Sequence, residues 1–292
     1  MAHQFQPIKR VERISKEDFL KNYYKPQKPL IIEKLTEDWP AYKKWDLSYI
    51  KNIAGDNVVP LYDDSPIDYS RNVNEPIARM KMREYLDLLE KEPTNLRIFL
   101  YNLMNRVPQL KEDFKFPHLG IRLIKEFPML FFGGANSRVF MHYDIDLANI
   151  LHFHFHGKKQ CILFPISDRK YMYKVPYSVI CHESIDFENI DFEKWPALKK
   201  THGYIAELDH GEALYMPEGW WHHMKYLTTG FSMSLRALPG KISHIGEAVY
   251  NIFVVRHIDN FMRKWKRENW LVYKNQRAIT NTHKRFRINT KR

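Results

Sequence analysis

Between Met129 and Leu238 the apolar residues fall into short runs: MLFFGG, RVFMHYD, ILHFHFHG, QCILFP, GYIAELDHG, ALYMP, WWHHMKYL and GFSMSLRAL. Each run is only a few residues long and is broken by Gly, Pro, Asn or Asp. That punctuation predicts an antiparallel sandwich or barrel, interrupted by one irregular segment from Ser167 to Thr201. Upstream the pattern is mixed. Ser15 is placed to cap a helix that ends at Pro26. Pro29–Lys34 (PLIIEK) suits a strand, and WPAYKKW opens a helical stretch through Ile53. NVVPLYDD is a strand weakened by Pro60, MKMREYLDLLEKEP is an amphipathic helix, and LRIFLYNL is rich in β-formers. After Gly240 the spacing of Ile245, Val249, Ile252, Phe253 and Ile258 turns helical. The chain is therefore expected to be mainly β with flanking helices. Residues 1–115 supply helices and edge strands, 116–240 the β core, and 241–292 a basic helical end.

Alternation within LHFHFHG puts His152, His154 and His156 on one face and Leu151, Phe153 and Phe155 on the other. Chemistry is more sharply signalled by His142-Tyr143-Asp144. In an extended segment His142 and Asp144 share a face, at a spacing that one divalent ion can bridge. A further histidine is supplied by WWHHM, after the turn Pro217-Glu218-Gly219, as His222 or His223. Two imidazoles and one carboxylate leave three coordination positions open, which suits non-haem Fe(II) that must take a cosubstrate and oxygen together. No Walker loop, no G-x-S-x-G and no paired-cysteine zinc pattern is present.

Composition narrows the setting. Only Cys161 and Cys181 occur, too few for a disulfide framework, so a reducing compartment is expected. No run approaches the length of a membrane span, and MAHQFQPIKRVERISKEDF lacks the apolar stretch of a secretory signal. A cytoplasmic location and no membrane partner follow as expectations. The net charge of +12 is concentrated at one end, where Arg256–Arg292 holds 12 Lys/Arg against Asp259 and Glu268. A basic end of this kind fits either a solvated tail or a nucleic-acid contact.

The combination HYD, GKKQCILFP and GEALYMPEGWWHH resembles the JmjC, or cupin-like, branch of the Fe(II)- and 2-oxoglutarate-dependent oxygenases. The likeness is strongest from Phe132 to Leu238 and extends more loosely to KPLIIEKL and WPAYKKW. It implies a double-stranded β-helix core of jelly-roll type. It also implies Fe(II) with 2-oxoglutarate and O2 as cosubstrates, and hydroxylation of a C–H bond. A protein or peptide side chain is the expected substrate, with a modified RNA base second, and the C-terminal helices are implied as a homodimer interface. By position, His142, Asp144 and His222 take the metal-ligand places; alternation turns His223 away. Lys159 takes the place that holds the distal carboxylate of 2-oxoglutarate. Asn149 and Tyr101 are further pocket candidates, with Phe99 competing for the tyrosine's place.

Two departures bear on the cosubstrate. Val139, Phe140 and Met141 offer no hydroxyl before the first ligand, and GFSMSLR presents Ser234 or Arg236 where an asparagine is usual. Arg236 could bind 2-oxoglutarate bidentately. With Asn149 facing the pocket, Leu151, Phe153 and Phe155 should fill the barrel interior and the three histidines should lie outside. Trp220 and Trp221 are expected to be structural, and Cys161 an inert buried thiol. The competing functions are a cupin-like module that binds a metal or small ligand without turnover, and an RNA-binding protein acting through its basic tail.

Overall fold

The computed structural model describes residues 5–63 and 75–286. The first half contributes β1 (Gln6–Pro7), β2 (Arg10–Val11), β3 (Leu30–Ile32), β4 (Val58–Leu61), β5 (Ala78–Lys81) and β6 (Arg97–Tyr101). The expected run of short strands then follows. These are β7 (Met129–Gly133), β8 (Arg138–His142), β9 (Asn149–His156), β10 (Lys159–Phe164), β11 (Tyr204–Leu208), β12 (Ala213–Met216), β13 (Trp221–Tyr226) and β14 (Gly230–Ala237). They assemble into two sheets, ordered β1-β11-β10-β13-β8 and β2-β3-β12-β9-β14-β7-β6, while β4 and β5 pair separately. The core pairings are antiparallel; among the described residues only β1 with β11 and β2 with β3 run parallel. The strand pattern predicted an antiparallel, mainly β core flanked by helices, and the family resemblance implied its jelly-roll form; both are met.

Each sheet buries both faces. Between the sheets, Ile31, Ile150, Leu214 and Met216 meet Cys161, Leu163, Leu208 and Met224. The outer face of the second sheet carries Leu151, Phe153, Phe155 and Phe231, which pack on Phe19, Trp39, Trp45 and Ile50 from the N-terminal helices. The outer face of the first sheet carries Tyr143, Ile162, Phe164 and Trp221, covered by Met172, Tyr173 and Trp195 of the long irregular segment. The N-terminal strands are woven into these sheets: β3 hydrogen-bonds directly to β12.

Local chemistry explains the boundaries. Ser15 caps the helix that starts at Lys16, its Oγ accepting from the Asp18 amide at 3.1 Å. Pro40 begins the helix Pro40–Lys44, and Asp46 caps Leu47–Ala54, so the stretch read as one helix is broken at Trp45. Gly157 turns β9 into β10 with φ +78°, and a Cβ there would stand 2.3 Å from the Thr229 carbonyl oxygen. Only glycine meets both demands. The C-terminal end is helical over Ile242–Tyr250, Arg256–Lys266 and Glu268–Phe286, with a π-helical turn at Asn251–Val255. Residues 287–292, the end of the basic stretch, lie outside the described residues. Among the described residues, no helix is long and apolar enough to cross a membrane.

Candidate metal centre and cosubstrate wall

β8 and β13 place His142 directly opposite His222, with ring centroids 4.1 Å apart. The chain leaves β8 at His142, so Asp144 swings back toward the pair. Its Oδ1 lies 3.7 Å from His142 Nε2 and 3.9 Å from His222 Nε2. The three ligand atoms lie within 4.8 Å of one another. Each imidazole is fixed from behind: His142 Nδ1 donates to the Phe140 carbonyl at 2.7 Å, and His222 Nδ1 to the Trp220 carbonyl at 3.1 Å. Because a carbonyl only accepts, Nδ1 carries the hydrogen and the Nε2 lone pair is turned to the shared point, as metal-binding histidines require.

Electrostatics agree with a cation site. Burial holds the His222 pKa down at about 3, helped by neighbouring His142, and burial lowers His142 as well. Both rings are therefore neutral donors at pH 7. Burial alone would raise the Asp144 pKa, but Arg236, His222 and His142 outweigh it and hold the carboxyl below its ordinary range. Arg236 Nη2 donates to Asp144 Oδ2 at 2.6 Å while Nη1 donates to Asp146 at 2.8 Å. Neutral imidazoles and an ionised carboxylate, with neither Nε2 hydrogen-bonded among the described residues, form a donor set that fits a divalent ion. His223 is turned out of this group, its Nε2 3.9 Å from Glu188.

Beside the triad, Lys159 lies buried at 3% exposure. Its Nζ donates to His152 Nε2 at 3.0 Å and Ser232 Oγ at 3.3 Å, and it sits 4.3 Å from the centroid of the Tyr226 ring. Among the described residues no carboxylate comes within ion-pair distance of it, and burial lowers its pKa to about 8. His152 Nδ1 bonds Ser234 Oγ at 2.7 Å, and His154 Nδ1 bonds Ser232 Oγ at 2.9 Å. Burial, then the Lys159 charge, keeps His152 neutral.

This wall corrects the expected face assignment. His152 and His154 are buried, at 4% and 0% exposure, and it is they, with Ile150, that point between the sheets. Leu151, Phe153 and Phe155 face the N-terminal helices. Asn149 belongs to their face: its amide accepts from Tyr215 Oη at 2.8 Å and donates to the Leu238 carbonyl at 3.3 Å. It is thus kept away from Lys159. Tyr101 likewise packs on the N-terminal core and donates to the Val58 carbonyl at 3.2 Å. Phe99 packs at a tilt against Tyr62 instead, with ring centroids 4.3 Å apart. Arg236 is engaged by two aspartates rather than held open for a dicarboxylate. Of the wall residues, the sequence reading placed His152 on the outer face, offered Ser234 only at the position where an asparagine is usual, and overlooked Ser232. Their signal was the matched polar alternation of HFHFH and SMSLR, because Ser234 pairs directly with His152.

A family model described as "Cupin-like domain" matches residues 16–237. The chain is 29% identical over 236 residues to "Lysine-specific demethylase 8" of Xenopus tropicalis, covering 75% of this chain and 50% of that protein. It is 28% identical over 243 residues to "Lysine-specific demethylase JMJ30" of Arabidopsis thaliana, covering 77% and 54%. Human "tRNA wybutosine-synthesizing protein 5" is 27% identical over 247 residues, covering 77% and 75%. The chain thus spans about half the length of the first two relatives.

Proposed function

The chain belongs to the cupin-like, JmjC-type family of oxygenases that work with Fe(II), 2-oxoglutarate and O2, and on that footing we propose that it hydroxylates a C–H bond of a protein or peptide side chain. The observation that carries the reading is one juxtaposition. Three ligand atoms converge within 4.8 Å, and a buried lysine with no carboxylate partner among the described residues stands in the same interior. His142, Asp144 and His222 would hold the metal. Bound ferrous ion would activate O2 as the oxidant, with 2-oxoglutarate as the two-electron reductant, so that C–H, O2 and 2-oxoglutarate would become C–OH, succinate and CO2, one oxygen atom going to the hydroxyl and one to succinate.

The residues of the chain do the rest. The Phe140 and Trp220 carbonyls hold the Nδ1 protons, which keeps both imidazoles oriented as ligands. Arg236 keeps Asp144 ionised. Lys159 offers a compact positive charge to the distal carboxylate of the cosubstrate; His152 and Ser232, both neutral, hold that ammonium in place until it is used. The apolar layer between the sheets excludes water from the reacting centre.

A peptide substrate is preferred because two relatives are named for lysine demethylation. The second reading is an RNA base. It is favoured by the basic C-terminal stretch and by the relative named for tRNA wybutosine synthesis. The exposed apolar side chains of the C-terminal helices are assigned to a second copy of the chain.

The test is direct. Fe(II) and 2-oxoglutarate added without air should give a visible charge-transfer band, and admission of air should release succinate. His142→Ala should abolish both. A wild-type protein that shows neither, or a band unchanged by the substitution, would leave only a non-catalytic binding module.

A further inference from the structure

On the far side of β8 from the metal triad a cavity of about 500 Å³ opens between three parts of the chain. The irregular segment after β10, the helix Ile242–Tyr250 with its π-helical extension, and the last turns of Glu268–Phe286 form its walls. Tyr143, between the ligands His142 and Asp144, lines its base. Four cations reach it, Arg169, Lys170, Lys174 and Arg285, against the single carboxylate Glu247. That carboxylate is already taken, since Arg169 Nη2 donates to it.

The surplus is therefore real. Among the described residues no carboxylate lies within ion-pair distance of Lys174 or Arg285. Burial, then the neighbouring Arg169 charge, pushes the Lys174 pKa down to about 8. Holding like charges together in a half-buried cleft costs stability that only an anion would return. Two further lining residues, Tyr250 and Tyr177, are 52% and 40% exposed; one side of the Tyr177 ring rests against Trp270, with centroids 5.5 Å apart. Cations beside exposed rings match the needs of a phosphate joined to a planar base. The volume suits one such unit, since small-molecule pockets run from about 300 to 1,000 Å³.

We propose that this cleft binds a nucleotide phosphate, with Lys170, Lys174 and Arg285 on the phosphate and Tyr177 or Tyr250 against the base. The unit could be a free mononucleotide or one nucleotide of an RNA strand, and the chemistry of recognition is the same. The proposal is independent of the oxygenase reading, because none of these cations belongs to the metal centre or the Lys159 wall.

Calorimetry on the full chain with adenosine 5′-monophosphate, adenosine, inorganic phosphate and a short single-stranded RNA tests it. The mononucleotide should bind saturably and adenosine at least about tenfold more weakly, since one charge-assisted contact is worth about 1.5–3 kcal/mol. Lys174→Gln and Arg285→Gln should each weaken binding about tenfold, while Mn(II) binding at the triad stays unchanged. Arg285 is exposed, so its substitution tests the cleft even if Lys174→Gln folds poorly. RNA binding that is much tighter than mononucleotide binding, steeply salt-dependent and lost in the same variants would assign the cleft to a strand. Comparable affinities would assign it to the free nucleotide. No saturable binding of either, or binding indifferent to both substitutions, overturns the proposal.

Discussion

Replacing Arg236 by methionine separates two roles that an arginine behind a metal ligand can play. Its guanidinium donates at 2.6 Å to Asp144 and 2.8 Å to Asp146. Its side chain is 16% exposed, with Asp144 at 15%. Two charges at that separation attract by about 6 kcal/mol at an effective dielectric constant of 20, from which desolvation of both must be subtracted. Breaking a buried pair typically costs about 3–5 kcal/mol. Partial exposure, and the freedom of Asp146 to reach water, place this pair at the lower end, near 3 kcal/mol. The metal-free variant should therefore melt about 5 °C below wild type.

Mn(II), which binds such a donor set without turnover, gives the decisive comparison. If Arg236 acts chiefly as the counter-charge of Asp144, a divalent ion supplies the charge that the variant lacks. The melting gap should then shrink from about 3 to about 1 kcal/mol. By linkage that change means Mn(II) binds the variant about 30-fold more tightly. If Arg236 chiefly orients the carboxylate, metal affinity falls about 10- to 100-fold, as for other groups that hold a ligand in place, and the gap widens. Differential scanning fluorimetry across a Mn(II) titration reads both cases. A variant that melts with wild type, or whose gap widens with metal, refutes the counter-charge argument.

Two other predictions follow from features outside the site. Asp113, buried under the N-terminal helices, accepts from Tyr49 Oη at 2.6 Å, Lys44 Nζ at 2.9 Å and Trp45 Nε1 at 3.0 Å. Burial raises its pKa, but these donors outweigh it and hold the carboxyl below its ordinary value of 3.8. The stabilisation is thus present above that pH and lost as pH falls through the folded-state value. Asp113→Asn should cost about 2 kcal/mol at pH 7, and the gap between the urea midpoints of the two proteins should hold above about pH 4 and narrow as pH falls below it; a gap that is the same at about pH 2 as at pH 7 contradicts this. On the C-terminal helices, Phe253, Phe261 and Trp265 are 67%, 65% and 68% exposed, and Ile242 is 87% exposed. Light scattering should show a dimer for wild type and a monomer for Phe253→Glu with Trp265→Glu, because so many large apolar side chains left exposed on one set of helices call for a partner; a monomeric wild type refutes it.

Much of the architecture was legible because strand periodicity and turn residues agreed from Met129 onward. The strands that escaped, β1, β2 and β5, are two to four residues long, and ARMK carries no β-branched residue to mark β5. They are set by pairing with neighbours, which a local pattern cannot show. The His142, Asp144 and His222 juxtaposition was legible for a different reason. Period two puts His222 and His223 on opposite faces, the family resemblance selects His222 as the first histidine after the aromatic pair, and the bulge falls after His222, so its place opposite His142 is preserved.

The pocket wall was misread because alternation tells which residues share a face, not which face is the inside. That second step normally comes from polarity, with the apolar set assigned inward. In β9 seven consecutive positions from Asn149 to Phe155 are buried, so both faces are covered and polarity no longer discriminates. The phenylalanines meet a helical layer rich in Trp39, Trp45 and Phe114. The histidines meet Ser232, Ser234 and Lys159, which satisfy them inside the sandwich. A buried imidazole needs a partner more than it needs water, and the serines two apart on β14 were that partner. In a three-layer sandwich, then, the polar face of a central strand is as good a candidate for the interior as the apolar one. The residue that decides is the one whose face is independently known. Here that residue is Lys159, whose ammonium reaches His152 but not Asn149.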